Sequence, residues 1–318
     1  MHLRVYTTYC SREIHPAKMP RKILHSIQYQ QHRKGEINMK KIIALVAAVA
    51  ALALLCCSCG SGKATAKVVD IQLTSEEYAF AVNPNDTALY EKVNAFLKEI
   101  KDNGKFDEVC SHYFGDGTPV EVTSAKEDSS KDQLIVVTEP GFEPFEYTSG
   151  EKYLGIDMEL AQLLADYLNK ELVIKPIEFD SIFQTLNTNG ADLGMAGITV
   201  NEQRAKLVKF SDTYYNAAQK IIVKSTDKTF DECKTKEDVE KILNGFDDKV
   251  KIGVQTGTTG HSYVEGDEGF GFAGLKAKAV GYTNGSLAVS AMLNGDVDYV
   301  IIDEAPAAAI TKAINAMQ

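Results

Sequence analysis

The sequence predicts an α/β fold built on parallel sheets, and three observations carry that reading. Beyond residue 132, short apolar runs of strand length alternate with amphipathic helical stretches, the order that lays helices against parallel strands. Hydrophobic residues make up 44% and charged residues 25% of the 318, the balance of a folded chain with room for one large or two medium domains. The net charge of -10 speaks against a nucleic-acid partner, which would show as a basic patch or a raised isoelectric point.

In chain order, Val68 to Leu73 reads as a strand, followed by a second apolar run at Tyr78-Ala79-Phe80-Ala81-Val82. A helix opens at Asp86 as N-cap, carries Leu89, Val93, Leu97 and Ile100 on one face, and closes before Gly104. A shorter helix runs to Tyr113-Phe114-Gly115, and the polar stretch from Gly117 to Asp132 reads as a linker. Strands are expected at Leu134 to Val137, Leu172 to Ile174, Leu193 to Ala196, Ile221 to Val223, Ile252 to Val254 and Tyr299 to Ile302. Helices are expected at Ile156 to Leu168, Ser181 to Leu186, near Leu287 to Leu293, and from Ala305 onward. In such sheets ligands bind beyond the C-terminal ends of the strands.

The front of the chain has a different character. Met39, Lys40 and Lys41 precede an apolar run from Ile42 to Leu55, shorter than the ~20 residues a spanning helix needs, which reads as a secretory signal. Leu55-Cys56-Cys57-Ser58-Cys59-Gly60 resembles a bacterial lipobox; Cys59 is the expected lipidation site, with Cys57 the alternative. Residues 1–38 show no periodic hydrophobicity, and Lys34-Gly35-Glu36 can be encoded by a purine run of ribosome-binding type. They are expected to be an upstream leader that is not translated in the cell. The body holds Cys110 and Cys233 in different halves, so a structural disulfide is not expected, and no Cys/His metal spacing or cofactor motif is present.

From Val136 to Val223, Thr138-Glu139-Pro140-Gly141-Phe142-Glu143-Pro144-Phe145-Glu146-Tyr147, Gly155-Ile156-Asp157, Phe179-Asp180-Ser181, Ala196-Gly197-Ile198-Thr199, Arg204 and Phe210-Ser211-Asp212-Thr213-Tyr214-Tyr215 occur in sequence. This series resembles the polar amino-acid solute-binding proteins of ABC transporters, family 3 of the bacterial extracellular solute-binding proteins. Gly253-Val254-Gln255-Thr256-Gly257-Thr258-Thr259 and Asp298-Tyr299-Val300-Ile301-Ile302-Asp303 are similar to that family's second lobe. The resemblance implies a type II periplasmic-binding-protein-like fold, with two α/β lobes around a cleft. In the family, the segment similar to Glu77 through Gly115 closes the chain, whereas here it stands in front, so a circularly permuted order is expected. The old ends would be joined through the 117–132 linker, a rearrangement that costs little when termini lie close together. The implied organisation is a signal peptide at 39–58, a tether at 59–67, one lobe at 84–219, and a second lobe of 68–82 plus 221–318.

The resemblance also implies a ligand, a free amino acid, and a division of labour in holding it. Burying a zwitterion requires a cation, an anion and a shaped pocket. Arg204, in a short helix capped by Asn201, is the expected carboxylate clamp, because a guanidinium grips both oxygens in a planar fork. The backbone of Ala196-Gly197-Ile198-Thr199 is expected to add a Thr199 N–H, and Thr258 and Thr259, in the Gly257-Thr258-Thr259-Gly260 turn, to offer free N–H groups from the other lobe. Asp303 is the expected ammonium partner, assisted by the Gly197 carbonyl and the Thr199 hydroxyl; as an alternative it caps the final helix. Phe142 and Phe179 match positions that stack on the ligand side chain, and Glu139 and Gln255 match positions that read its distal end, favouring a polar, amide or cationic side chain.

The implied function is that of an extracytoplasmic receptor. It would be monomeric, lipid-anchored to the bacterial membrane, and docked on ABC transporter membrane subunits after hinge closure, the lobes pivoting on segments near Tyr78 to Val82 and Ala218 to Val223. It would catalyse nothing. Two other classes share the scaffold: an enzyme of dehydratase or peptidoglycan-lyase type, for which Glu139 and Glu143 are the pocket-side acid or base candidates, and the ligand-sensing module of a signalling system.

Overall fold

The computed structural model describes residues 64–317. The signal, lipobox and leader expectations, with Cys57 and Cys59, lie outside the described residues, as does the first part of the tether. No described helix is long and apolar enough to cross a membrane.

The chain enters through β1 (Ala66–Val69), then β2 (Glu76–Tyr78) and β3 (Ala81–Val82). Helix α1 (Thr87–Asp102) follows, started by Asp86, whose carboxylate accepts the Leu89 N–H at 2.8 Å. Its apolar stripe of Leu89, Val93, Phe96, Leu97 and Ile100 is buried, and α2 (Lys105–Phe114) begins after Gly104, which adopts φ +79°. Next come β4 (Gln133–Thr138), the three-stranded meander β5 (Gly141–Phe142), β6 (Glu146–Ser149) and β7 (Lys152–Leu154), and α3 (Ile156–Tyr167). Then follow β8 (Glu171–Pro176), α4 (Ser181–Asn187), β9 (Leu193–Gly194), a 3-10 turn at Arg204–Lys206, β10 (Lys209–Phe210), β11 (Tyr215–Ala217) and β12 (Gln219–Lys224). The remainder is α5 (Lys236–Leu243), β13 (Lys251–Gln255), α6 (Thr259–Glu265), β14 (Lys278–Tyr282), α7 (Gly285–Asn294), β15 (Tyr299–Asp303) and α8 (Glu304–Ala316).

Two five-stranded sheets organise these elements, one ordered β10-β3-β9-β4-β8 and the other β1-β12-β15-β13-β14. Each is mixed rather than purely parallel. The pairs β4·β8, β4·β9, β13·β14 and β13·β15 are parallel, but the two strands that arrive from the other sheet pair antiparallel with both neighbours, β3 with β9 and β10, and β12 with β1 and β15. The parallel expectation holds only for strands linked by a helical crossover, since a strand entering directly from across the molecule has no such constraint. Helices cover the sheets, giving a periplasmic-binding-protein-like α/β fold. The chain passes between the sheets twice, at β2 and β11, which pair antiparallel as their own ribbon with Glu76 opposite Ala217 and Tyr78 opposite Tyr215. The ribbon thus sits a few residues before the segments expected from sequence, because β3 and β12 are already full members of their sheets.

The stretch 117–132 is pinned rather than loose. Val122 is buried and bridges Tyr153, the Ala125 N–H donates to the Leu172 carbonyl, and the Ser124 hydroxyl accepts the Ile174 N–H. Its polar composition hides this because one valine and a few backbone bonds suffice to lay it along β8.

Edge strand β1 and the end of α8 meet at a single side chain. Asn315 accepts the Ala66 N–H at 2.9 Å and donates to the Ala66 carbonyl at 2.8 Å, acting as a surrogate strand on the free edge. Asn315→Ala is expected to lower unfolding free energy by about 1–2 kcal/mol, the worth of two partly buried hydrogen bonds, read as a lower urea midpoint at unchanged slope.

Candidate functional site

The C-terminal ends of β4, β9, β13 and β15 converge on one small cavity between the two sheets, of about 10 Å³. Its wall is made by Phe142, Phe179, Ala196, Gly197, Thr199, Arg204, Gln255, Thr258, Thr259 and Asp303, together with Glu146. Every expected contact residue except Glu139 therefore faces this space.

Arg204 is positioned by the Asn201 side chain, which accepts its backbone N–H at 2.7 Å. The guanidinium is buried against three aromatic faces, Phe179 at 5.3 Å, Phe183 at 5.0 Å and Phe270 at 5.5 Å. Nη1 donates to the Thr199 carbonyl at 2.7 Å and Nη2 to the Gly257 carbonyl at 3.0 Å, so the side chain ties one sheet's turn to the other's. Burial pulls its pKa down to about 10, with the nearby Glu76 and Asp303 carboxylates working against the fall, and it stays cationic at neutral pH.

Asp303 ends β15 facing the cavity. Its Oδ1 accepts the Tyr78 hydroxyl at 2.6 Å, and it makes no capping bond to α8 although it occupies the cap position. Burial pushes its carboxyl up to about 7, and the adjacent Glu76 carboxylate adds to the rise. Glu304 turns away from the cavity, held by Lys220 at 2.6 Å and Gln72 at 2.7 Å.

Four expectations need correction. The Thr199 hydroxyl does not point at an ammonium position: it donates to Glu76 Oε2 at 2.7 Å, and Gln219 donates to the other oxygen at 3.0 Å. Glu139 lies behind the wall, where its carboxylate accepts from Gln255 Nε2 at 2.8 Å across the crevice, and burial raises it to about 7. The Gly257-Thr258-Thr259-Gly260 turn is not a row of free donors, since the Gly257 N–H goes to His261 Nδ1 and the Thr258 N–H to the Gln255 carbonyl. Glu143, the second acid candidate, is exposed, and its place at the cavity is taken by Glu146, two residues beyond the buried Pro144.

Residues that sequence reasoning passed over complete the site. Glu76 and Tyr78 share one face of β2 while Glu77 faces out, the period-2 alternation that would have flagged Glu76 once Tyr78 was taken as buried. Asp157 is fully buried below the wall, where Oδ2 accepts the Gly197 N–H at 3.0 Å and Oδ1 the Tyr214 hydroxyl at 2.7 Å. Gly197 holds φ +53° against the Phe142 ring, and an added Cβ would lie 2.7 Å from that ring.

Burial raises Asp157 from 3.8 to about 7, and Glu139 and Asp303 move the same way. Acids whose folded pKa exceeds the unfolded value bind more protons when folded, so their stabilising effect is fullest below the unfolded pKa and is lost as pH rises toward 7. Carboxyls held low, such as Asp231 by Lys67 and Glu171 by Gln133 and Lys131, are exposed, and what they contribute is present above the ordinary carboxylate range and lost only as pH falls below it, outside this window. The melting temperature of the ligand-free protein is expected to fall between about pH 5 and about pH 7.5, and Asp157→Asn to flatten that slope, as measured by calorimetry across the range.

Comparison with known proteins bears on this region. Residues 134–264 match the family model for bacterial extracellular solute-binding proteins, family 3. The chain is 37% identical over 97 residues to the arginine-binding extracellular protein ArtP of Bacillus subtilis, a match covering 30% of this chain and 38% of that protein. It is 29% identical over 174 residues to a probable histidine-binding protein of Neisseria gonorrhoeae, covering 54% and 58%. These matches span less than two thirds of either relative's length. A solved structure of an ancestral arginine-binding protein bound to arginine is 35% identical, with a TM-score of 0.49 over 58% of this chain and 76% of that one. The stretch that supplies Phe142, Phe179, Arg204 and Thr259 to the cavity lies within the residues that match the model for bacterial extracellular solute-binding proteins, family 3.

Proposed function

We propose that the protein is an extracytoplasmic receptor that traps one free amino acid between two lobes and presents it to the membrane subunits of an ABC uptake transporter. The observation that carries this reading is a cavity lined by both a buried guanidinium, Arg204, and a buried carboxylate, Asp303. A zwitterion is the ligand that satisfies both, its carboxylate against Arg204 and its ammonium against Asp303. Phe142 and Phe179 supply the apolar faces, and a polar, amide or cationic side chain suits the remaining wall. No chemistry beyond binding is needed, so the protein is read as a receptor rather than an enzyme. Attachment through a lipidated Cys59 belongs to the same reading.

A circularly permuted order is part of the proposal. It is supported by β1, which joins the sheet of Asp303, and by the Asn315 link between the two ends of the described chain. On this reading residues 84–219 and residues 68–82 plus 221–318 form the lobes, and the β2·β11 ribbon is the pivot. Closure is supported by the close fit at Gly257, where an added Cβ would stand 2.8 Å from Asp180 Cβ.

A screen of the twenty amino acids is expected to find a ligand that raises the melting temperature by about 5–10 °C at a hundredfold excess over Kd. Arg204→Ala should abolish that shift, because removing one partner of a buried charge pair costs about 2–5 kcal/mol. A flat screen, or an alanine variant that responds like the parent, overturns the assignment. Gly257→Ala, which meets Asp180 and also strains a backbone held at φ +77°, is expected to weaken ligand binding about tenfold while the cleft stays wider in solution scattering.

A further inference from the structure

Arg204 has a second side. The cavity behind it holds about 10 Å³, the room of roughly one water molecule. In front of it lies a space of about 250 Å³, lined among others by Phe183, Gln203, Asp267 and Phe270, and Arg204 is the one residue that lines both. The guanidinium is therefore a partition between an inner and an outer space.

The cover on the outer side is a loop from the opposite sheet, residues 266–274, between α6 and β14. Its body is fixed from within. Asp267 and Phe272 exchange N–H···O bonds of 2.9 Å, and Asp267 Oδ1 accepts the Gly269 N–H at 2.8 Å. Asp267 Oδ2 accepts the Ser262 hydroxyl at 3.0 Å, and the Phe270 ring stacks on Phe272 at 5.3 Å. Its neck is narrow: Gly266 and Gly274 hold φ +94° and +76°, and a Cβ on Gly274 would stand 2.6 Å from the Glu265 carbonyl oxygen. A compact loop whose ends touch can swing as a unit on such joints. Across the crevice it reaches two neighbouring residues. Gln203 Nε2 donates to Asp267 Oδ1 at 3.1 Å, and the Phe270 ring centre lies 5.5 Å from Arg204 Cζ. The other two aromatic faces on the guanidinium, Phe179 and Phe183, come from its own side, so the face under Phe270 is the one bared when the sheets part. The Asp267 carboxylate also favours the charged form of Arg204.

We infer that residues 266–274 are a lid over Arg204, and that Phe270 and Asp267 are positioning residues that seat the guanidinium in the wall and screen it from the outer space. The inference stands on the loop's own contacts and needs no particular occupant of the cavity. Under the receptor reading above, the lid also keeps water from competing for Arg204 once a ligand carboxylate is paired with it.

Arg204 is the only arginine in residues 39–318, so an arginine-selective reagent can follow it directly. The test is phenylglyoxal modification of the full chain, read on the Arg204 peptide by mass spectrometry. Alkylation of Cys110, half-buried on α2, serves as the gauge of general loosening. Arg204 is expected to react far more slowly in the parent than in the urea-unfolded chain. Phe270→Ala and Asp267→Ala are each expected to speed it about tenfold with Cys110 unchanged, because losing a cation–π face or the loop's anchor shifts the opening equilibrium by about that factor. Phe270→Tyr keeps the ring and should restore the parent's rate. Alanine variants that react at the parent's rate, variants that speed Arg204 and Cys110 alike, or a tyrosine variant as fast as the alanine one overturn the lid. So does a parent whose Arg204 reacts as fast as in urea. These outcomes leave amino-acid binding untouched, which the melting screen decides separately.

Discussion

A buried guanidinium and a buried carboxylate facing the same small space form the constraint on which the other parts of this molecule depend. Neither charge is cheap to remove from water, and the protein does not leave them bare. Arg204 leans on three aromatic faces and two carbonyls, and Asp303 takes the Tyr78 hydroxyl. These contacts are weaker than a direct ion pair would be, so the two charges are supported yet still available to partners of opposite sign.

The architecture serves that arrangement. Parallel strands deliver their C-terminal turns to one crevice, and the turns differ in what they contribute: the β4 turn an aromatic ring, the β9 turn backbone and threonine, the β13 turn glutamine and two threonines, the β15 end a carboxylate. The glycines do specific work here. Gly197 lets the Phe142 ring lie against the backbone, and Gly257 lets one turn reach within touching distance of Asp180.

Much of this was legible in the residues. The helix from Thr87 to Asp102 announced itself by cap and stripe, and Arg204, Asp303 and both phenylalanines, picked out by the order of short motifs between Val136 and Asp303, line one cavity. What stayed hidden had physical causes. Glu146 sits in a short meander whose neighbours Thr148 and Ser149 are exposed, so alternation alone marks it as an ordinary strand residue. Glu76 is one of two consecutive glutamates, and only the pairing of β2 with β11 decides which of them turns inward. Phe270 lies in a glycine-rich loop, where no periodicity could have aimed it at a guanidinium more than sixty positions earlier. Strand direction in the mixed sheets was also unreadable, because it is set by where the chain comes from rather than by local composition.

The β2·β11 ribbon is more than a connector, for it places Glu76 on the Thr199 hydroxyl and Tyr78 on Asp303. The segment that joins the two sheets thus holds two side chains of the cavity wall, Thr199 and Asp303, from behind. Under the proposed closure about this ribbon, a substitution that alters what Asp303 or Thr199 can hold would also alter the stiffness of the joint between the sheets.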